Sequence, residues 1–432
     1  MSRAALVVTA LLALWPQAAT AEARSWLLSR EPGGHGDSAT MAVAGPADRK
    51  LVVWAEYRQR SADAVVYSRR VRRNGRPAGP IRRVVEIRGS GGHRLAYNPR
   101  RREYLLVWAG TWDGAAREPC AASPNYTPPP GCTRVDVEVH AQRLDAAGRR
   151  LGAVRRITAT GDPADADATS GGPSLAVDSR NGRFLLAYTA TTGEGDVRVR
   201  VQALDGRGRN AGLATTVPTP PAVAVSPALA WQPRSGGFLL TYALHEQIRE
   251  GDLYARPLDA AGIPSGDPVA IAAGPDGRRD ANAVVASPAG DGYLAIWSEG
   301  SGNYPGGIFT ARPLDAAGRP TAPAAPLTPW TIGAGTVAPI SRSRLWIAWE
   351  QTMPSDREIF LRPFGVDGKP LGPERRVTRT GPDHDRDAIN PKAYHAEFPA
   401  LSPTGGGRAL LAWSARGPRD ARADAYARSL GK

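Results

Sequence analysis

Two rhythms of apolar and polar residues alternate along this chain, and the stretch from Phe184 to Leu204 carries both. Phe-Leu-Leu-Ala-Tyr (184–188) is an unbroken apolar run. After the polar Thr-Gly-Glu-Gly-Asp loop, Val-Arg-Val-Arg-Val-Gln-Ala-Leu (197–204) alternates with a period of two, and Asp-Gly-Arg-Gly then turns the chain. Alternation with Val and aromatic enrichment, bounded by Gly-containing turns, predicts strands. With Ser174–Val177 before it and Ala214–Val217 after it, the unit reads as four antiparallel strands. No segment carries a helical apolar period.

The unit recurs. The aromatic closing the second strand returns as Trp54, Trp108, Tyr188, Tyr242, Trp297, Trp349 and Trp413, at intervals of 54, 80, 54, 55, 52 and 64 residues. A period near 50 residues marks a radial or linear array. The units run from Ala39 to Glu86, Arg94 to Ile157, Ser174 to Val217, Ala228 to Ile271, Val284 to Leu327 and Val337 to Val377, with a seventh from Pro399 to Leu430 that has three strands. Arg24-Ser25-Trp26-Leu27-Leu28 resembles the fourth strands Arg155-Arg156-Ile157 and Arg375-Arg376-Val377, and is expected to complete that seventh unit. Closure would remove the open sheet edge that invites aggregation.

The repeat resembles that of seven-bladed β-propellers, in particular exported bacterial ones with a motif of the form Leu-Leu-Val-Trp … Ala-Arg-x-Leu-Asp-Ala-Ala-Gly. The resemblance implies an all-β, seven-bladed β-propeller of four-stranded antiparallel blades, and residues 22–432 as one domain. It names no enzyme family. The tryptophan-aspartate dipeptide, the kelch glycine pair and the sialidase aspartate box are absent as regular features, and propellers serve scaffolds, lectins, hydrolases and lyases alike.

Residues 1–21 read as a signal peptide: Arg3, an apolar run from Ala4 to Trp15, then the small residues Ala19-Thr20-Ala21. No later segment reaches the roughly 20 apolar residues a transmembrane helix needs, so a secreted or periplasmic destination is expected. Cys120 and Cys132 share one Pro-rich loop and are expected to form a disulfide in such a compartment. The net charge of +14 comes almost wholly from arginine. An anionic polymer is the partner class such a charge attracts, while solvated arginines are its plainer explanation. No run of five or six like charges supports a nucleic-acid arm.

Position in the repeat separates blade chemistry from site chemistry. Arg69, Gln142, Gln202, Arg256, Arg312, Arg362 and Arg428 occupy one position in every third strand and are expected to bridge neighbouring blades. The Asp-Ala-Ala-Gly turns (145–148, 259–262, 315–318) are turn chemistry rather than calcium loops. Arg82-Arg83, Arg155-Arg156 and Arg375-Arg376 are expected to guard exposed edges.

Long irregular loops gather on the face that carries the strand-two-to-three loops and the blade connections: 110–134, 161–172, 245–251 and 381–398. His35, His93, His245, His384 and His395 map to that face, and His140 to a strand. The ligand-binding candidates are therefore His93, His245, His384, His395, Tyr394 and Trp112, since loops on a rigid scaffold carry function. Trp112, Tyr126 and Tyr304 would suit a lectin groove. Alternating carboxylates at Asp383, Asp385 and Asp387 make a candidate calcium loop. Catalytic candidates are His245, Glu246 and His395, with Glu299 and Glu350 just beyond second strands. No Gly-x-Ser-x-Gly, phosphate-binding glycine loop or His-Glu-x-x-His occurs.

The expected function is a monomeric exported propeller that binds an extracellular glycan or envelope protein, without catalysis. The alternative is a polysaccharide lyase or glycoside hydrolase acting on an acidic polymer.

Overall fold

The computed structural model describes residues 25–29, 36–58, 63–89, 92–111, 137–160, 169–191, 196–219, 222–247, 250–274, 278–300, 307–328, 334–352, 357–378, 395–416 and 424–431. Among these there is no helix, and so none long and apolar enough to cross a membrane. The strands form a seven-bladed β-propeller of four-stranded antiparallel blades.

Blade one comprises Gly36–Ala44, Arg49–Arg58, Ala64–Arg72 and Arg82–Ile87; blade two comprises His93–Asn98, Glu103–Thr111, Val137–Leu144 and Arg150–Arg156. Blade three follows as Thr169–Asp178, Arg183–Thr191, Val197–Leu204 and Thr215–Thr216, and blade four as Val223–Gln232, Gly237–Gln247, Glu250–Leu258 and Val269–Ala272. Blade five is Arg278–Ala286, Tyr293–Gly300, Ile308–Leu314 and Ala325–Pro326; blade six is Gly335–Pro339, Arg344–Thr352, Arg357–Gly365 and Arg375–Arg376. Blade seven takes His395–Gly405, Arg408–Arg416 and Asp424–Leu430, and its fourth strand is Trp26–Leu27 from the other end of the chain. Trp26 pairs with Ala427 and Leu27 with Tyr426, antiparallel, as the sequence led us to expect.

The first strands touch one another around a closed ring and so surround the axis. The core is not central but divided among the blade interfaces. Among the described residues each of the seven interfaces holds one apolar cluster, such as Leu51, Val53, Leu106 and Trp108 between blades one and two. The ring-closing interface holds Leu28, Trp54 and Leu410. The recurring aromatics are its anchors: Trp54, Trp297 and Trp349 are almost fully buried, each contributing roughly 1.5–3 kcal/mol by area.

The repeated polar position links the blades as expected at four places. Arg69 Nη1 donates to Leu28 O at 2.7 Å, Arg256 Nη1 to Pro218 O at 2.8 Å, Arg312 Nη1 to Ile271 O at 2.6 Å and Arg428 Nη1 to Val377 O at 3.1 Å, each acceptor lying in the preceding blade. The shorter Gln202 reaches only its own blade, and Asn210 Nδ2 makes that link instead, to Ile157 O at 2.9 Å. The Asp-Ala-Ala-Gly turns are turn chemistry: Asp145 Oδ1 accepts from Ala147 N and Arg149 N at 2.8 and 2.9 Å, with Gly148 at φ 78°.

Two expectations change. The first strands of blades one, three, four, five and seven begin earlier than their alternation indicates, because a bulge interrupts them. At three of those bulges the left-handed residue precedes a proline: Gly172, Ser226 and Phe398, at φ 55°, 53° and 54°. Pattern reading stops at such a bulge and assigns the residues before it to a loop. The paired arginines also do more than guard edges. Arg155 is exposed, but Arg156 and Arg376 turn inward to carboxylates.

Candidate functional site

The loop-face end of each blade is where the third strand begins and the fourth strand leaves, and in blades two and six the chain secures it with a buried acid. In blade two, Glu138 is fully buried; its Oε1 accepts from Arg156 Nη2 and Thr160 N, both at 2.7 Å, and the Thr158 hydroxyl bonds its other oxygen. Blade six repeats this with Glu358, Arg376 Nη2 at 2.9 Å and Thr378. In both blades the threonine hydroxyl also accepts a backbone N–H, from Val139 at 2.8 Å and Ile359 at 2.9 Å.

Between blades four and five the equivalent polar cluster is larger. Arg279, 5% exposed, donates from Nε to Glu299 Oε1 at 2.9 Å and from Nη1 to Gly274 O at 3.0 Å, with Asp252 Oδ1 3.9 Å away. His245 Nε2 lies 3.4 Å from Arg279 O. A methyl group built on Gly251 would come within 2.5 Å of the His245 ring, so the backbone passes close over it. His245 and Glu299 are thus brought to one residue, Arg279. Between blades six and seven, Glu350 is 2% exposed; Oε1 accepts from Arg357 Nη1 at 3.3 Å and Oε2 from Phe398 N at 3.4 Å. Glu299 and Glu350 lie within their second strands rather than beyond them.

The other described histidines occupy separate blade contacts. His93 opens blade two at 2% exposure. Burial first, and then the Arg94 charge, lower its pKa to about 4, against a partly offsetting hydrogen bond that the ring donates to the backbone of Val53 in blade one. His140 stacks on Trp108 with centroids 5.7 Å apart, where the other blades stack Trp54 on Tyr67 or Trp349 on Phe360; burial lowers its pKa too. His93, His245 and His395 sit in strands, each at a loop-face end. His395 opens blade seven and its backbone bridges to Arg357 of blade six. The side chains of Glu246 and His395 fall outside the described atoms, and Cys120, Cys132, Trp112, Tyr126, Tyr304, His35, His384, Tyr394, Asp383, Asp385 and Asp387 lie outside the described residues.

One charged group differs from the rest. Arg94 stands one residue in from the loop-face end of the blade-two first strand, which is an edge strand on the axial ring. Its side chain is exposed to water, yet protein surrounds the guanidinium and the resulting desolvation lowers its pKa. Nη1 donates to His93 O at 2.9 Å, and no carboxylate pairs with it among the described residues. A cation placed so is water-accessible, partly desolvated and short of an anion.

Sequence reading missed Arg94, Arg279 and the fully buried Glu138 and Glu358. The glutamates left a signal in their spacing, Glu138 to Arg156 to Thr158 and Glu358 to Arg376 to Thr378, with the same intervals in two blades. Arg279 lies before a bulge in what reads as a blade connection, and Arg94 looks like any outward arginine of an alternating strand.

No protein family matches this chain, and no curated protein does. Solved structures do match it. A protein of unknown function from Dyadobacter fermentans is 12% identical, with 95% of this chain and 99% of that one covered and a TM-score of 0.49. The Hadza microbial sialidase Hz136 is 11% identical over 85% and 73%, at 0.50. The β-propeller domain of the Trilobed protease from Pyrococcus furiosus is 6% identical over 90% and 94%, at 0.46. These likenesses are likenesses of fold.

Proposed function

We propose that this protein is an exported propeller that binds an acidic glycan at the loop-face mouth of its axial channel, with Arg94 as the recognition charge. The observation that carries this reading is the Arg94 guanidinium, water-exposed yet partly desolvated and without a carboxylate partner among the described residues. A desolvated cation attracts an anion more strongly than a fully hydrated one, because the effective dielectric around it is lower. The net charge of +14 favours approach of such a polymer. The fold shared with a protein described as a sialidase is compatible with a sugar ligand and decides nothing about it.

A binding role is preferred to catalysis because the described loop-face acids are already engaged. Glu138, Glu299, Glu350 and Glu358 each have an arginine on a carboxylate oxygen, and His93 and His245 are buried. A lyase base or a hydrolase carboxylate pair must instead present a reachable atom to the substrate. Calcium at Asp383, Asp385 and Asp387 and a Cys120–Cys132 disulfide belong to the same proposal.

The test is a panel of neutral and acidic polysaccharides, read for retention of the purified protein and for new reducing ends or unsaturated-uronate absorbance. Retention on acidic polymers that weakens with salt, without new ends, is the expected result. Turnover that disappears on His245→Ala would replace this reading with the enzymatic one.

A further inference from the structure

The face opposite the loops carries a site that the ring closure creates. In blades two to five, the turn joining third to fourth strands presses its glycine onto the preceding blade. A methyl group on Gly148 would come within 2.8 Å of Leu51 Cδ1, and one on Gly262 within 2.5 Å of Leu185 Cδ1; Gly208 and Gly318 meet Leu105 and Leu239 in the same way. Ser68 Oγ of blade one also donates to Gly148 O at 3.1 Å. Each of these turns opens with an aspartate: Asp145, Asp205, Asp259 or Asp315.

Blade seven has no such hairpin, because its third and fourth strands come from opposite ends of the chain. Among the described residues, the place over blade six that its turn would cover is a cavity of about 690 Å³. Blade six has larger residues there: Trp346 stands where the other blades have Leu51, Leu105, Leu185, Leu239 and Leu294, and Leu361 where they have Ser68, Ala141, Val201, Ala255 and Ala311. These residues do not close the gap. Ser341, Ser343, Pro363 and Pro373 are among its lining residues, and Arg344 and Arg375 stand exposed on its rim. Among the described residues no carboxylate lines the cavity, and neither arginine has one as a partner. Trp346 is 3% exposed, and its buried Nε1 has no hydrogen-bond acceptor among them.

We propose that this niche binds an acidic reverse turn, Asp-x-x-Gly, presented by a partner polypeptide. The niche has the position that receives such a turn in the other blades. The Trp346 ring forms the apolar floor where the other blades offer a leucine to the turn, and Arg344 and Arg375 meet the aspartate that opens the turn. The site is independent of the channel mouth and stands or falls apart from the proposal for Arg94.

The test is calorimetric titration of the purified protein with a cyclised hairpin peptide of the chain's own residues 311–321, and with the same peptide carrying Asp315→Asn. Saturable one-to-one binding is expected, weakened roughly tenfold by the Asn peptide and at least as much by the surface pair Arg344→Glu and Arg375→Glu, the loss of a charge-assisted hydrogen bond. Arg94→Gln should leave it unchanged. No saturation, or equal affinity for the arginine variant, overturns the proposal. So does an acidic oligosaccharide that binds the wild-type protein and not the arginine variant while the peptide fails to bind, which assigns the niche to a glycan. A concentration-dependent dimer abolished by the arginine variant assigns it to a second copy of the chain and overturns the proposal as well.

Discussion

Ser29 Oγ donates to Asp424 Oδ1 at 2.9 Å across 395 residues of sequence, and accepts from Ala425 N at 2.9 Å. The same hydroxyl-to-acid contact joins Thr158 to Glu138 and Thr378 to Glu358. The N-terminal strand therefore reproduces, from the far end of the chain, the lock that ordinary blades make locally.

Ser29→Ala is expected to destabilise the fold by about 1–2 kcal/mol, since it orphans a buried N–H and an acid together, whereas Ser29→Thr should be tolerated. Denaturant unfolding measures both. Deleting residues 26–29 removes the fully buried Leu28 as well and exposes a strand edge, so self-association should accompany the loss of stability.

Glu358 is fully buried and pairs with a guanidinium that remains partly exposed. Arg376→Ala should cost roughly 3–5 kcal/mol, because it leaves a buried charge without its counterion. Combining it with Glu358→Leu should recover part of that loss. Thermal melts of the single and double variants distinguish an ion-pair lock from mere packing.

The inter-blade arginines are not equivalent. Arg312 reaches the preceding blade at Ile271 O, whereas Arg362 Nε bonds within its own blade, to Gly372 O at 2.8 Å. Arg312→Ala is expected to cost about 1.5–3 kcal/mol and Arg362→Ala less. Equal losses in chemical denaturation would remove the distinction.

Stability should depend on pH through His93. Its pKa in the fold is about 4 against the usual 6.5, so the unfolded chain binds a proton in that interval that the folded chain does not. The stabilisation is complete above pH 6.5 and fades as pH falls towards 4, by on the order of 3 kcal/mol for this one group. His140 shifts in the same direction. His93→Gln should flatten the dependence of Tm on pH across that interval.

The architecture was legible because strand alternation and the closing aromatic are local and repeat. The ring closure was legible because Leu28 and its neighbours copy the fourth strands. Legibility ended at the bulges. Pro227 and Pro399 follow residues with positive φ that break the alternation, and the strands resume before them unseen. The polar site was less legible for a related reason. Arg279 and His245 belong to different blades and meet only when the ring is built. Arg94 is set apart by its place on the axis, which no spacing along a single strand encodes.

The most direct test of the central claim is the affinity of the wild-type protein and of Arg94→Gln for the acidic glycan best retained on the polysaccharide panel. The account predicts unchanged thermal stability and an affinity at least roughly tenfold weaker, as loss of one charge-assisted contact implies. Equal affinity in the two proteins would contradict the assignment of Arg94 as the recognition charge.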